Sequence, residues 1–73
     1  MEFLFVQFDP NDRRDVLSSG NPIGRTDTEM TLDAGDYHIS LSGLQDYVPP
    51  FWEGPIAGTR EGNPLRIEFK HGA

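Results

Sequence analysis

The sequence predicts an all-β domain: a small antiparallel β-sandwich, or a partly open barrel, of about five to seven short strands with no substantial helix. Three observations lead there. Apolar and polar residues alternate at a period of two in several separate runs, which marks strands with one dry face. Eight Gly and six Pro punctuate the 73-residue chain too often for a long helix. That length leaves room for one domain over 1–73 and one small core.

The first run, Glu2 to Phe8, is apolar on both faces, with Phe3 and Phe5 pointing one way and Leu4, Val6 and Phe8 the other. Such a strand belongs at the centre of a sheet or needs a second surface to cover it. Asp9-Pro10-Asn11-Asp12 ends it, because Asp and Asn side chains bond the local backbone and proline presets a turn. A short strand at Asp15 to Ser18 meets the turn cluster Ser19-Gly20-Asn21-Pro22, and Ile23 to Thr26 returns as its partner.

The clearest alternation lies in Thr28 to Ser42. Met30 and Leu32 alternate with Glu29, Thr31 and Asp33; Tyr37, Ile39 and Leu41 alternate with His38, Ser40 and Ser42. With Asp33-Ala34-Gly35-Asp36 between them, and Gly35 free to take a positive φ, the two halves read as a β-hairpin. From Gln45 to Asn63 the turn formers Pro49-Pro50, Gly54-Pro55, Gly58 and Gly62-Asn63 break any pattern, so irregular chain is expected with at most a short strand at Tyr47-Val48. A loop of that length in so small a domain signals either function or a strand in disguise. After Pro64, Leu65, Ile67 and Phe69 alternate with Arg66, Glu68 and Lys70 as a last half-buried strand. The expected core is Phe3, Phe5, Tyr37, Ile39, Leu41, Leu65, Ile67 and Phe69. Such a core leaves a narrow stability margin, and an exposed sheet edge then favours self-association.

Twelve Asp and Glu against six Lys and Arg give a formal charge of −6. The basic residues, Arg13, Arg14, Arg25, Arg60, Arg66 and Lys70, form no polybasic run, so neither a phosphate backbone nor an anionic membrane surface is an expected partner. The apolar runs fall far short of the roughly 20 residues of a spanning helix, and no membrane insertion is expected. The absence of cysteine excludes disulfides and thiolate metal sites and leaves the compartment open. Met1 as a natural start, followed by Glu2 and a short apolar run, reads as a cytoplasmic chain without a signal peptide.

Val16-Leu17 before the Gly20-Asn21 turn, Ile23-Gly24-Arg25-Thr26, the string Leu32-Asp33-Ala34-Gly35-Asp36-Tyr37-His38-Ile39-Ser40-Leu41 and the closing Asp46-Tyr47 together resemble the PEGA domain family. The likeness spans Val16 to Tyr47. It departs from the family pattern at Asp27 and Ala34, where proline is usual, and at Asp46, where glycine is usual. The resemblance implies a small β-sandwich acting as a non-catalytic accessory module, often in surface-associated or multidomain bacterial proteins. If the chain is an excised domain of that kind, the resemblance implies an extracytoplasmic location; it transfers no catalytic residue.

Few constellations suggest chemistry. Asp9, Asn11, Asp12 and Asp15 cluster the hard oxygen ligands that calcium prefers, but EF-hand spacing fails: Arg13 stands at the fifth position, Arg14 replaces the glycine, and Gly20 is twelfth. Turn formation with solvated charges explains the cluster, and no metal site is expected. His38 and His71 read as surface histidines without a third ligand. Ser40 and Ser42 have neither a His-acid pair nor a nucleophile elbow, and the glycines form no phosphate-binding string. No enzymatic activity and no cofactor are expected.

Tyr47-Val48-Pro49-Pro50-Phe51-Trp52-Glu53-Gly54-Pro55 stands apart, with three aromatics and three prolines in nine residues. Rigid aromatics on a proline-stiffened loop give contact area at little entropic cost. Two readings remain open: Trp52 with Phe51 or Tyr47 contacts a partner, or the loop folds back and buries Phe51 and Trp52 as core. The expected function is a non-catalytic interaction module that binds a protein partner through an open edge or through Tyr47, Phe51, Trp52 and Glu53. The alternatives are a glycan-binding domain in which Trp52 stacks on sugar while Glu53 bonds hydroxyls, and a homodimer formed by edge pairing.

Overall fold

The structure is a computed structural model that describes residues 1–72. Its strands are β1 (Glu2–Gln7), β2 (Asp15–Ser18), β3 (Asn21–Arg25), β4 (Glu29–Leu32), β5 (Gly35–Leu41), β6 (Tyr47–Val48), β7 (Trp52–Ile56), β8 (Leu65–Glu68) and β9 (Lys70–His71). They form a small all-β sandwich. One sheet runs β4-β1-β8, the other β3-β2-β5-β7, and a two-stranded ribbon pairs β6 with β9. All of these pairings are antiparallel except β1 with β8, which is parallel.

β1 is the central strand of its sheet, as its two apolar faces require. Its inner face is the one bearing Leu4, Val6 and Phe8, all buried, whereas the expected core residues Phe3 and Phe5 point outward and are only half-buried. Register decides the parity. Leu4 lies opposite Met30 and Leu65, and Val6 opposite Ile67, so the even positions of β1 share a face with the apolar positions of both neighbours. Phe3 faces Thr31 across the ladder, and Phe5 faces Glu29 and Arg66, whose guanidinium carbon lies 4.9 Å from the ring centroid. The facing sheet adds Val16, Ile39, Leu41 and Ile56, with Tyr47 and Phe69 closing one end; Tyr37 and Leu65 pack half-buried at the margin.

β2 and β3 form the expected hairpin. Ser19 (φ 49°) and Gly20 (φ 88°) are both left-handed, the conformation that two-residue hairpin turns demand. Pro22 is harmless because β3 lies at a sheet edge. Gly24 leaves space for Met30 from the opposite sheet, whose Sδ lies 2.8 Å from where a Cβ would stand.

The expected hairpin over Thr28 to Ser42 is not formed. β4 pairs with β1 and β5 pairs with β2 and β7, so Asp33-Ala34 carries the chain from one sheet to the other. A two-residue hairpin turn here would need positive φ, yet neither Asp33 nor Ala34 has it, and Gly35 enters β5 without it. The expected irregular stretch also contains a strand. β7 pairs with β5 along its whole length, tolerating Pro55 because it is an edge strand.

Candidate functional site

The Tyr47–Pro55 segment is divided by its strands. Tyr47, in β6, is buried at the core end, with its ring edge-on to Phe8 and Phe69 at 6.1 and 5.4 Å between centroids. Its hydroxyl accepts a hydrogen bond from the Leu41 N–H and donates one to the Leu41 carbonyl, each 3.1 Å. Tyr47 is therefore a scaffold residue that satisfies both main-chain groups at the end of β5. Trp52 lies opposite Ile39 on the inner face of β7 and packs half-buried against the core. Its six-membered ring lies over Gly54, 3.3 Å from where a Cβ would be.

Alternation then turns the intervening residues outward. Glu53 lies opposite His38, and the carboxylate approaches His38 Nδ1 at 3.6 Å. Phe51, just before β7, stacks on the His38 ring at 4.5 Å and 22° while remaining 45% exposed. Phe51 and Glu53 are the sequence-expected residues brought to one surface. Beside them an open hollow of about 410 Å³ is lined by Ser19, Asp36, Tyr37, His38, Glu53 and Gly54. Two hydrogen bonds tie its lining residues to the scaffold: the Ser19 N–H donates to the His38 carbonyl at 3.0 Å, and the Tyr37 hydroxyl donates to the Asp33 carbonyl. His38, Asp36 and Ser19 carry no sequence motif that marks them as binding residues. The usable signal is the period-two alternation of β5, which puts Asp36 and His38 on one face. The hollow itself depends on where β7 and the β2–β3 turn sit.

A second polar cluster is built on the aspartate-rich turn Asp9–Asp12. Asp12, Asp46 and His71 each place one potential ligand atom within 4.8 Å of the others. Arg14 Nη2 stands 2.8 Å from both Asp12 Oδ2 and Asp46 Oδ1, and its Nη1 donates to the Leu44 carbonyl at 2.7 Å. The guanidinium also covers the Phe8 and Tyr47 rings at 5.1 and 5.8 Å. Its hydrogen bond to Asp12 pushes the Arg14 pKa up and holds the Asp12 carboxyl below its ordinary value. His71 completes the clasp, Nε2 lying 3.1 Å from Asp9 Oδ2. These groups tie the 9–14 turn, the 42–46 segment and β9 together around a built-in cation. Asp9 also accepts from the Asn11 N–H at 2.9 Å, the turn chemistry its sequence implies.

Among the described residues, no helix is long and apolar enough to cross a membrane. Comparison with family models, with curated proteins and with solved structures returned no match.

Proposed function

We propose that this chain is a non-catalytic interaction module that binds a protein partner on the outer face of β5 and β7, with Phe51 as the apolar anchor and Asp36 and Glu53 selecting a basic segment. The observation that carries the reading is Phe51 itself: a large apolar side chain left 45% exposed while its ring stacks on His38. A preorganised aromatic contributes contact area without an ordering cost on binding, which is how anchor residues act. The two carboxylates that line the hollow with His38, in a chain of net charge −6, favour Lys or Arg on the partner. The resemblance of Val16 to Tyr47 to PEGA domains supports the same class of role, an accessory module within a larger protein or assembly.

The test is peptide-display selection against the folded chain. Basic sequences carrying an apolar side chain are expected to be enriched, and Phe51→Ala is expected to weaken their binding by roughly ten-fold or more. Equal enrichment by the Phe51→Ala variant contradicts the assignment.

A glycan-binding reading draws on the hollow itself, where Ser19, Asp36 and Glu53 offer oxygen acceptors beside the exposed ring. In that reading a polysaccharide panel moves the resonances of Phe51 and Glu53. Silence across the panel removes it.

A further inference from the structure

The sheet edges differ in what they offer a further strand. β3 carries Pro22 and β7 carries Gly54-Pro55, both poor templates for added pairing. The outward side of β8, as it runs on into β9, is taken by β6: Val48 lies opposite Lys70, and the Gly72 N–H donates to the Asp46 carbonyl at 3.0 Å. β4 is different. It contains neither Gly nor Pro, and its only strand neighbour among the described residues is β1.

The hydrogen bonds of β1 fix which groups of β4 point away. The Gln7 carbonyl accepts from the Phe69 N–H on the β8 side, whereas the Val6 carbonyl accepts from the Asp27 N–H on the β4 side. Since alternate residues of a strand bond to opposite neighbours, Glu2 and Leu4 direct their main-chain groups toward β4, where Leu32 and Met30 lie opposite them. Met30 and Leu32 are thereby paired. Glu29 and Thr31, both exposed, direct their N–H and C=O groups outward. Side chains follow the same parity: Met30 is buried on the inner face, while Glu29 and Thr31, with Asp33 next in phase, belong to the outer face. Among the described residues Glu29 and Asp33 make no ion pair, and no Lys or Arg occurs from Thr26 to Thr59.

We propose that β4 is a docking edge for an extended basic segment of another protein, which adds to the sheet as an antiparallel strand. One partner residue exchanges both main-chain hydrogen bonds with Thr31, and the residue two further on exchanges both with Glu29. The outward groups of β4 are thereby satisfied. Alternation then sets the partner's side chains. Its residue opposite Met30 turns to the inner face and is apolar, because it reaches the sandwich margin where Met30 packs on Gly24 of β3. Its residues opposite Glu29 and Asp33 turn outward beside carboxylates that have no cation of their own, and are Lys or Arg. From N to C terminus the partner therefore reads basic, any residue, β-branched, apolar, basic. A second copy of this chain does not fit: antiparallel pairing of β4 with its own copy about Thr31 sets Glu29 against Asp33, and pairing about Met30 sets Asp27 against Asp33. The edge lies in the sheet opposite the Phe51 face and does not depend on it.

The probe is a synthetic peptide containing Lys-Val-Thr-Val-Lys, titrated into the folded chain to about 1 mM beside a control containing Glu-Val-Thr-Val-Glu. The Lys peptide is expected to bind saturably, and the Glu29 and Thr31 amides to gain protection from hydrogen exchange while those of His38 and Glu53 do not. The Glu peptide is expected to bind roughly ten-fold more weakly or worse. The double variant E29K/D33K reverses that preference. Thr31→Pro removes an outward N–H at no cost to the β1 ladder and abolishes binding of the Lys peptide, whereas Phe51→Ala leaves it unchanged. Circular dichroism establishes that the variants are folded, and the charge-reversed variant decides the matter if Thr31→Pro is not. No saturable binding, equal binding of the two peptides, an unreversed preference in E29K/D33K, a folded Thr31→Pro variant that still binds, or protection gained at His38 and Glu53 instead each overturns the proposal.

Discussion

Two aromatic residues five positions apart in the chain, Tyr47 and Trp52, both pack against the core, each placed by the strand that carries it. Tyr47 turns its ring into the core and its hydroxyl onto both main-chain groups of Leu41. Tyr47→Phe leaves a buried N–H and C=O without a partner and is expected to cost about 1–3 kcal/mol in urea unfolding. Trp52, the single tryptophan, reports directly on the β5–β7 face because its ring sits on Gly54. A methyl group at position 54 would meet that ring at 3.3 Å, closer than ordinary van der Waals contact. Gly54→Ala is therefore expected to tilt the indole and shift its emission; an unchanged spectrum and quenching profile would show that the ring rests elsewhere. Phe51 carries neither burden. Its substitution by Ala removes exposed area and a stack on His38, so folding stability is expected to change by less than about 1 kcal/mol.

At the level of strands, much could be read before any coordinates. Glu2 to Phe8 announces a central strand through apolar residues on both faces, and Ser19-Gly20 supplies the φ values of a two-residue hairpin. Alternation does not say which strand pairs with which, and this is why Thr28 to Ser42 reads as a hairpin when β4 and β5 lie in opposite sheets. The distinguishing detail is chemical: Asp33-Ala34 lacks the Asn-Gly or Asp-Gly pair that such a turn prefers. Replacing these residues to give D33N/A34G supplies that turn, favours direct pairing of β4 with β5, and is expected to lower the melting temperature. A rise would mean that the connection already behaves as a hairpin turn. β7 is hidden for another reason. Gly54 and Pro55 are poor strand formers, but Trp52, Gly54 and Ile56 alternate inward against Glu53 and Pro55, and an edge position removes the cost of the proline. The Phe51–His38 stack could not be read from sequence because it exists only through the β5–β7 register.

Across the whole molecule, two polar ties close distant parts of the chain without adding to the apolar core. Glu2 Oε1 accepts from the Thr59 hydroxyl at 2.7 Å and from its N–H at 2.9 Å, fastening the segment before β8 to β1. The Asp12–Arg14–Asp46 clasp with His71 fastens β9 to the turn after β1. The Thr59 hydrogen bonds hold the Glu2 carboxyl below its ordinary value of 4.5, and the Arg14 bond holds Asp12 below 3.8. Carboxyls with lowered folded-state pKa bind fewer protons than in the unfolded chain, so their stabilisation is complete above those ordinary values. It is lost as pH falls through the lowered ones. The melting temperature is therefore expected to decline progressively below about pH 4.5, with Glu2→Gln and Asp12→Asn each flattening the decline. A wild-type profile unchanged between pH 5 and 2 would show that neither tie matters to folding.

The β5–β7 ladder leaves Phe51 exposed on its outer face, and the Phe51→Ala variant separates that surface from the scaffold beneath. Its binding to display-selected basic peptides, measured beside its thermal unfolding, is the most direct test of the binding face. The predicted result is a loss of roughly ten-fold or more in affinity from a variant that stays folded, its stability changed by less than about 1 kcal/mol. Retained affinity, or a variant that no longer folds, would contradict the assignment of Phe51 as a preorganised anchor on an independent scaffold.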